Sequence, residues 1–285
     1  MFRLLVTGSN GQLGRAVAKL YEGNAEVELV NTDVAELDIT SLEQTLEFVQ
    51  KVQPYAIINC AAHTGVDACE TDVENAYRIN ALGPRNLSIA ASKAGAKMVQ
   101  ISTDYVFSGD TDKPYTEFDE PAPQGIYGKS KLAGEQFVKQ FADKFFIIRT
   151  AWLYGDGKNF VKTMLRLSEA NDKVRVVSDQ YGSPTSTKEL AKIIDKLLWT
   201  ENYGTYHGTC EGSCSWADFA REIFRLAGKE TQVEYITTAE YPTPAKRPAY
   251  SVLDKFMLKL TIGYEPADWK SAIAEYIEEI TSQNK

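Results

Sequence analysis

Short apolar runs alternate along this chain with segments whose apolar positions recur at helical spacing. Phe2-Arg3-Leu4-Leu5-Val6-Thr7 predicts a buried strand, and Arg15-Ala16-Val17-Ala18-Lys19-Leu20 a helix packed on it. Val27-Glu28-Leu29-Val30-Asn31 predicts a second strand, Tyr55-Ala56-Ile57-Ile58-Asn59 a third, the β-branched start of Met98 to Phe107 a fourth, and Phe145-Phe146-Ile147-Ile148-Arg149 a fifth. Between them, Asn75 to Ala94 reads as one long helix interrupted at Gly83-Pro84, and Pro114 to Pro123 as a loop. Strands alternating with helices imply an α/β fold: a parallel sheet with helices on both faces. Beyond residue 150 the rhythm becomes irregular and prolines gather at 184, 242, 244, 248 and 266. That change predicts a smaller second lobe. Leu190 to Leu198 still reads as a sheet-covering helix, so the chain is expected to cross between lobes more than once.

Composition narrows the class. The 285 residues, 44% hydrophobic and 25% charged, suit a soluble globular protein with a sizeable core. No run approaches the roughly 18 apolar residues of a membrane span. The start passes straight into strand and glycine turn, without a signal peptide's apolar stretch and cleavage site. A net charge of −8 argues against nucleic acid as partner, because phosphate backbones demand a basic surface. Cys60, Cys69, Cys210 and Cys214 are too few for a disulfide framework, which fits a cytoplasmic location. His207, Cys210 and Cys214 lack a fourth ligand and metal-site spacing; a strand at 203–207 and a helix capped by Ser213 to Ser215 near Trp216 explain them better.

Three segments carry chemistry. Gly8, Gly11 and Gly14 follow the first strand and open the first helix. Such a turn lets backbone approach a pyrophosphate, and the helix N-terminus supplies free N–H groups and a favourable dipole. Asp33 ends the second strand about twenty residues later, where a carboxylate would bond adenosine ribose hydroxyls and repel a 2′-phosphate, favouring NADH over NADPH. Ser102 and Thr103 end the fourth strand, the edge at which α/β sheets bind ligands, and a hydroxyl there can orient a substrate carbonyl. Tyr127 and Lys131 stand four apart on one predicted helix face. The ammonium is expected to draw the phenol's pKa below its usual value of about 10, fitting Tyr127 to exchange a proton with a carbonyl oxygen.

Together these motifs resemble the extended short-chain dehydrogenase/reductases, and more narrowly the dTDP-4-dehydrorhamnose reductases. The resemblance runs through Gly8 to Gly14, Asn59-Cys60-Ala61-Ala62-His63-Thr64, Ser102 to Gly109, Tyr127 to Glu135, Arg149 to Tyr154, Asn159 to Met164, Asp179 to Thr185 and Tyr241 to Pro248. It implies a Rossmann-like doubly wound parallel sheet with a smaller C-terminal substrate-binding lobe. The expected boundaries are 1–150 for the dinucleotide-binding domain, with 172–206 partly returning to it, and 151–171 plus 207–285 for the lobe. It implies NADH or NADPH as cofactor and a dTDP-linked 4-keto-6-deoxyhexose as substrate. Thr103, Tyr127 and Lys131 would be catalytic, Lys131 also holding the nicotinamide ribose. Gly8, Asn10, Gly11, Gln12, Leu13, Gly14, Asp33, Asp38, Ile39, Ala61, Ala62, Thr64 and Asn80 would line the cofactor, with Tyr127 and Lys131. Asp104, Tyr105, Trp152, Asn159 and Arg247 would join Thr103 at the substrate. Some family members bridge a dimer with magnesium held by glutamates; the matching positions here are Ala16 and Lys188, so no magnesium is expected, and a homodimer stays open.

Two rival readings remain at this stage. A dehydratase of the same superfamily would want a second carboxylate directly after Asp104, where Tyr105 stands, and an epimerase would hold NAD permanently. A non-catalytic regulatory subunit, resembling the beta subunit of methionine adenosyltransferase, would keep the fold without turnover.

Overall fold

In the computed structural model, which describes residues 1–282, the predicted alternation is present from the first residue onward. The elements are β1 (Phe2–Thr7), α1 (Gln12–Leu20), β2 (Val27–Thr32), α2 (Leu42–Val52), β3 (Ala56–Asn59), α3 (Val66–Cys69), α4 (Val73–Tyr77), α5 (Gly83–Ala94), β4 (Lys97–Thr103), α6 (Ile126–Phe141) and β5 (Phe145–Thr150). After them come β6 (Leu153–Tyr154), α7 (Phe160–Ser168), β7 (Lys173–Val177), β8 (Tyr181–Gly182), β9 (Thr185–Ser186), α8 (Thr187–Leu198), β10 (Gly204–His207), β11 (Cys214–Ser215), α9 (Trp216–Leu226), β12 (Gln232–Ile236), α10 (Phe256–Ile262) and α11 (Trp269–Ser282).

Six parallel strands form the main sheet in the order β10-β5-β4-β3-β1-β2. The order reverses at β1, so the crevice lies beyond the carboxyl ends of β1, β3 and β4. The central strands are buried on both faces, which is why they read as continuous apolar runs instead of alternating ones. One face is covered by α1 and α8 through Leu13, Val17, Leu190, Ile193, Ile194 and Leu197. The other is covered by α2, α5 and α6 through Val49, Leu87, Ala90 and Val138. This is the doubly wound α/β architecture that the alternation predicts.

A second apolar cluster belongs to the smaller lobe, where α7, α9 and α11 pack on β7 with Phe219, Ile223, Phe224, Trp269 and Ile273 at its centre. Of the stretch 172–206, α8 covers the main sheet and β10 extends its edge. β7 pairs with β12 away from that sheet. Its one-sided burial pattern suits a two-stranded sheet with one face on a helix.

The long helix expected from Asn75 to Ala94 is also different in detail. Its interruption is a π-helical segment, Arg78–Leu82, between α4 and α5. Pro84 has no N–H to donate back along the helix, so the ladder widens just before it. The His207 ring Nδ1 meets the Asp254 carbonyl at 2.9 Å, and Cys210 and Cys214 lie in buried surroundings. Ser215 caps α9 with Asp218 in a reciprocal capping box.

Candidate active site

The glycine turn is held by close packing. Gly8 has a left-handed φ of +64°, and a Cβ there would lie 2.6 Å from the Ala61 nitrogen; on Gly14 it would lie 2.5 Å from the Ser9 Cα. Ala61 therefore backs the turn, and α1 is pressed onto it. A chain of buried side-chain bonds fixes the strand ends in register: Thr7 Oγ1 to Asn59 Oδ1 at 2.6 Å, then Asn59 Nδ2 to Gln100 Oε1 at 2.8 Å. The N-terminus of α1 has no side-chain cap and no acid in its first turn. Free N–H groups and the helix dipole thus face the crevice uncompensated, a fit for a pyrophosphate.

Asp33 sits at the mouth of this turn. Asn10 N donates to its Oδ2 at 3.2 Å and Val34 N to its Oδ1 at 2.9 Å. Ala62 and Thr64 lie on the loop leaving β3, half-buried and exposed respectively. Other residues of the expected cofactor set have interior work. Leu13 and Ile39 are core side chains, which leaves their main chain to meet a dinucleotide. Asp38 Oδ1 is taken by the Thr40 amide and hydroxyl at 2.9 and 2.7 Å. Gln12 accepts from Asn159 at 3.3 Å.

At the end of β4, Thr103 pairs in register with Thr150 of β5. Its Oγ1 donates to Asp104 Oδ1 at 2.9 Å and accepts from Tyr105 N at 3.2 Å. Tyr127 lies in the first turn of α6, its ring edge-on to Tyr105 with centroids 5.5 Å apart. Two glycines seat this helix: a Cβ on Gly128 would overlap the Tyr105 carbonyl oxygen, and one on Gly134 the Asn80 carbonyl oxygen. Asn80, inside the π-helical segment, ties three pieces together. Its Oδ1 accepts from His63 N at 2.8 Å, and its Nδ2 donates to His63 O at 3.0 Å and to Ser130 Oγ at 3.1 Å.

Lys131 is buried on the same face of α6, one turn on, and donates to the Ile101 carbonyl at 2.6 Å. Burial lowers its pKa to about 8, opposed by Glu135 and Cys60. The expected depression of the Tyr127 pKa is not found. Burial, with Asp104 adding repulsion, raises it above its ordinary value, and the nearby Thr103 hydroxyl offsets only part of this. The physical reason is that the ammonium is directed at a backbone carbonyl, while the phenol end is enclosed beside a carboxylate. The phenol therefore stays protonated at neutral pH, as a proton donor must. Ser102 is also reassigned: its hydroxyl is buried and donates to Glu135, which forms a bidentate pair with Arg149 at 2.9 and 2.7 Å.

On the substrate side, Arg247 pairs with Asp67 at 2.9 Å. Asp67 also accepts from Ala245 N at 3.2 Å, so α3 fastens the 241–250 loop. Nothing in the sequence marks Asp67, whose partner stands far along the chain. Trp152 has a φ of +47°, unusual for a bulky residue, and stacks on Trp216 with centroids 3.5 Å apart. Gly182 leaves room for its ring. Asn159 caps α7 through Lys162 N at 3.0 Å, and its amide nitrogen donates to Gly155 O at 2.6 Å.

A cavity of about 520 Å³ lies on the far side of α1, between α8 and α11, and none of Thr103, Tyr127 and Lys131 lines it. Ala16 and Lys188 do; the Lys188 ammonium is paired there with Glu275 and Glu279. Among the described residues no group of three His, Cys, Asp or Glu side chains could hold a metal ion, and no helix is long and apolar enough to cross a membrane.

Comparison with known proteins agrees with the geometry. Residues 2–282 match the family model for the RmlD substrate binding domain. A dTDP-4-dehydrorhamnose reductase of Aggregatibacter actinomycetemcomitans is 42% identical, with 96% of this chain and 97% of that protein covered. The crystal structure of a dTDP-4-dehydrorhamnose reductase from Clostridium acetobutylicum is 53% identical, superimposes with a TM-score of 0.97, and covers 98% of this chain and 100% of its own. That of the Bacillus anthracis reductase in complex with NADP is 45% identical, with a TM-score of 0.94 and coverage of 98% and 99%.

Proposed function

Because the chain belongs to the RmlD substrate binding domain family, that of the dTDP-4-dehydrorhamnose reductases, we propose that it reduces the 4-keto group of dTDP-4-dehydro-L-rhamnose to give dTDP-L-rhamnose. When bound, the reduced nicotinamide dinucleotide supplies the hydride. Gly8, Gly11 and Gly14 with the α1 N-terminus hold its pyrophosphate, and Asp33 its adenosine ribose. NADH is favoured over NADPH by that carboxylate, which would repel a 2′-phosphate. Tyr127 gives its proton to the substrate oxygen, and Thr103 steadies that oxygen with a second hydrogen bond. Lys131 holds the nicotinamide ribose. Tyr105, Trp152 and Arg247 meet the sugar and diphosphate, Arg247 exchanging Asp67 for phosphate oxygens. The enzyme works in the cytoplasm and feeds nucleotide sugar to cell-surface polysaccharide.

The observation that carries this reading is the hydroxyl cluster of Thr103 and Tyr127 above buried Lys131, at the sheet end next to the glycine turn. The test is turnover. Loss of absorbance at 340 nm on mixing protein, reduced cofactor and the 4-keto sugar nucleotide, with dTDP-L-rhamnose recovered as product, supports it. No turnover, together with stoichiometric binding to an adenosyltransferase, would favour the regulatory-subunit reading.

A further inference from the structure

Tyr127 can serve as a proton donor only if the first turn of α6 holds it in place at the crevice, and that turn lacks a local fastening. Its N-cap is Gly125, in extended backbone with φ −107° and ψ 170°, so no side chain of its own caps the helix, and no acid stands in its first turn. The leading N–H groups of a helix need an acceptor from outside. Here it comes from distant chain: Ile126 N donates to Glu70 Oε1 at 2.8 Å. Ile126 immediately precedes Tyr127. Gly125 makes the approach possible, because a Cβ there would lie 2.8 Å from that same oxygen. The carboxylate also supplies the negative charge that a helix N-terminus favours.

Resting on the reductase reading above, we propose that Glu70 is a positioning residue for the reduction: its carboxylate ties the first turn of α6 to α3 and so sets where the Tyr127 phenol meets the substrate oxygen. In this role it acts through Tyr127 and not on the substrate itself. A local cap at residue 125 would satisfy the helix end as well, but it would leave α6 free to shift against the crevice. The distant cap fixes the helix to a second element.

α3 is a firm anchor for such a tie. Glu70 closes it, and the preceding Cys69 is buried, with its Sγ 3.4 Å from His63 Nδ1. Asp67 accepts from Ala245 N at 3.2 Å and pairs with Arg247 at 2.9 Å. His63 is bonded through its backbone N–H and carbonyl to Asn80, whose amide nitrogen reaches Ser130 of α6. The helix is therefore held to the 61–70 stretch at two points, Ser130 by way of Asn80 and Ile126 by Glu70. Only the second lies directly beside Tyr127 in the chain. A group that is itself locked by its surroundings can hold a donor to within about 0.5 Å, the tolerance that productive geometry demands.

The test pairs removal of the tie with restoration of a local cap. Glu70→Ala should lower kcat about tenfold or more through misplacement of the donor. Gly125→Ser added to Glu70→Ala puts a capping hydroxyl on backbone already in N-cap geometry, in the room that the carboxylate vacates; it should recover the melting temperature and leave kcat low. In a Tyr127→Phe background, Glu70→Ala should change the single-turnover reduction rate by less than about twofold, since the group it positions is already gone. The proposal is overturned if Glu70→Ala lowers kcat by less than about threefold, if Gly125→Ser restores kcat along with stability, or if Glu70→Ala costs the same factor with and without the Tyr127 hydroxyl. Should Glu70→Ala alone not fold, the capped double variant decides by its kcat: about tenfold or more below wild type supports the tie, and the wild-type value overturns it. With a wild type that turns over, these refuting results remove only the role of Glu70. A wild type that never turns over refutes the reductase reading, and this proposal with it.

Discussion

Adding a single methyl group at Gly128 separates stability from catalysis. Gly128 follows Tyr127 on α6, and a Cβ there would overlap the Tyr105 carbonyl oxygen, which belongs to backbone that cannot rotate away. Real Cβ contacts stay above 3.0 Å, so in Gly128→Ala the first turn of α6 must back off by roughly 1 Å. Two stability effects then oppose each other: Ala for Gly inside a helix stabilises by about 1 kcal/mol, and overpacking costs about 1–3 kcal/mol. The melting temperature should therefore fall only a few degrees. The rate has no such offset. A displacement of roughly 1 Å at the proton donor costs about 10²-fold, or about 2.7 kcal/mol of barrier. The assay is kcat at saturating substrate, with thermal melting alongside, and Lys129→Ala on the solvent side of the same turn as control. Gly128→Ala with kcat within twofold of wild type would show that the close approach of α6 to Tyr105 does not position the phenol.

Three further outcomes test other parts of the account. Glu135→Gln leaves the Arg149 guanidinium buried without its charge partner, which costs about 3–5 kcal/mol and should lower the melting temperature by roughly 10 °C; Glu135→Leu with Arg149→Met should recover much of it. Burial lowers the pKa of His207 to about 3, so between there and about 6.5 the native state binds fewer protons than the unfolded chain, and stability must fall as pH drops through that window; by pH 4.5 His207 alone costs roughly 2–3 kcal/mol, and in urea titrations His207→Gln should lose less stability between pH 7 and 4.5 than wild type does. Asp33→Ala should weaken NADH more than NADPH in fluorescence titrations, and an unchanged preference would remove Asp33 from the ribose.

The parts legible in the sequence are those set by local rules. Strand, glycine turn and helix at the N-terminus follow from periodicity and from backbone that only glycine permits, and the Tyr127 and Lys131 spacing follows from helical repeat. Three features depended on distant chain and could not be read. Widening of the helix at Arg78–Leu82 requires Pro84, but its use emerges only when Asn80 meets His63 and Ser130. The direction of the Tyr127 pKa depends on where the Lys131 ammonium points, and spacing gives the shared face without the aim. Asp67 reaches Arg247 of the 241–250 loop from α3, with no motif to mark it. The pairing of β7 with β12 was hidden for a similar reason: alternation shows that one face is buried without showing against which partner.

The account turns on Tyr127 as the group that protonates the substrate oxygen. The direct measurement is Tyr127→Phe, with single-turnover loss of 340 nm absorbance and cofactor affinity recorded on the same preparation. The reduction rate should fall about 10²–10⁴-fold while cofactor affinity stays within about twofold, since only a hydroxyl is removed. A Tyr127→Phe protein that reduces the 4-keto sugar at the wild-type rate would contradict the account.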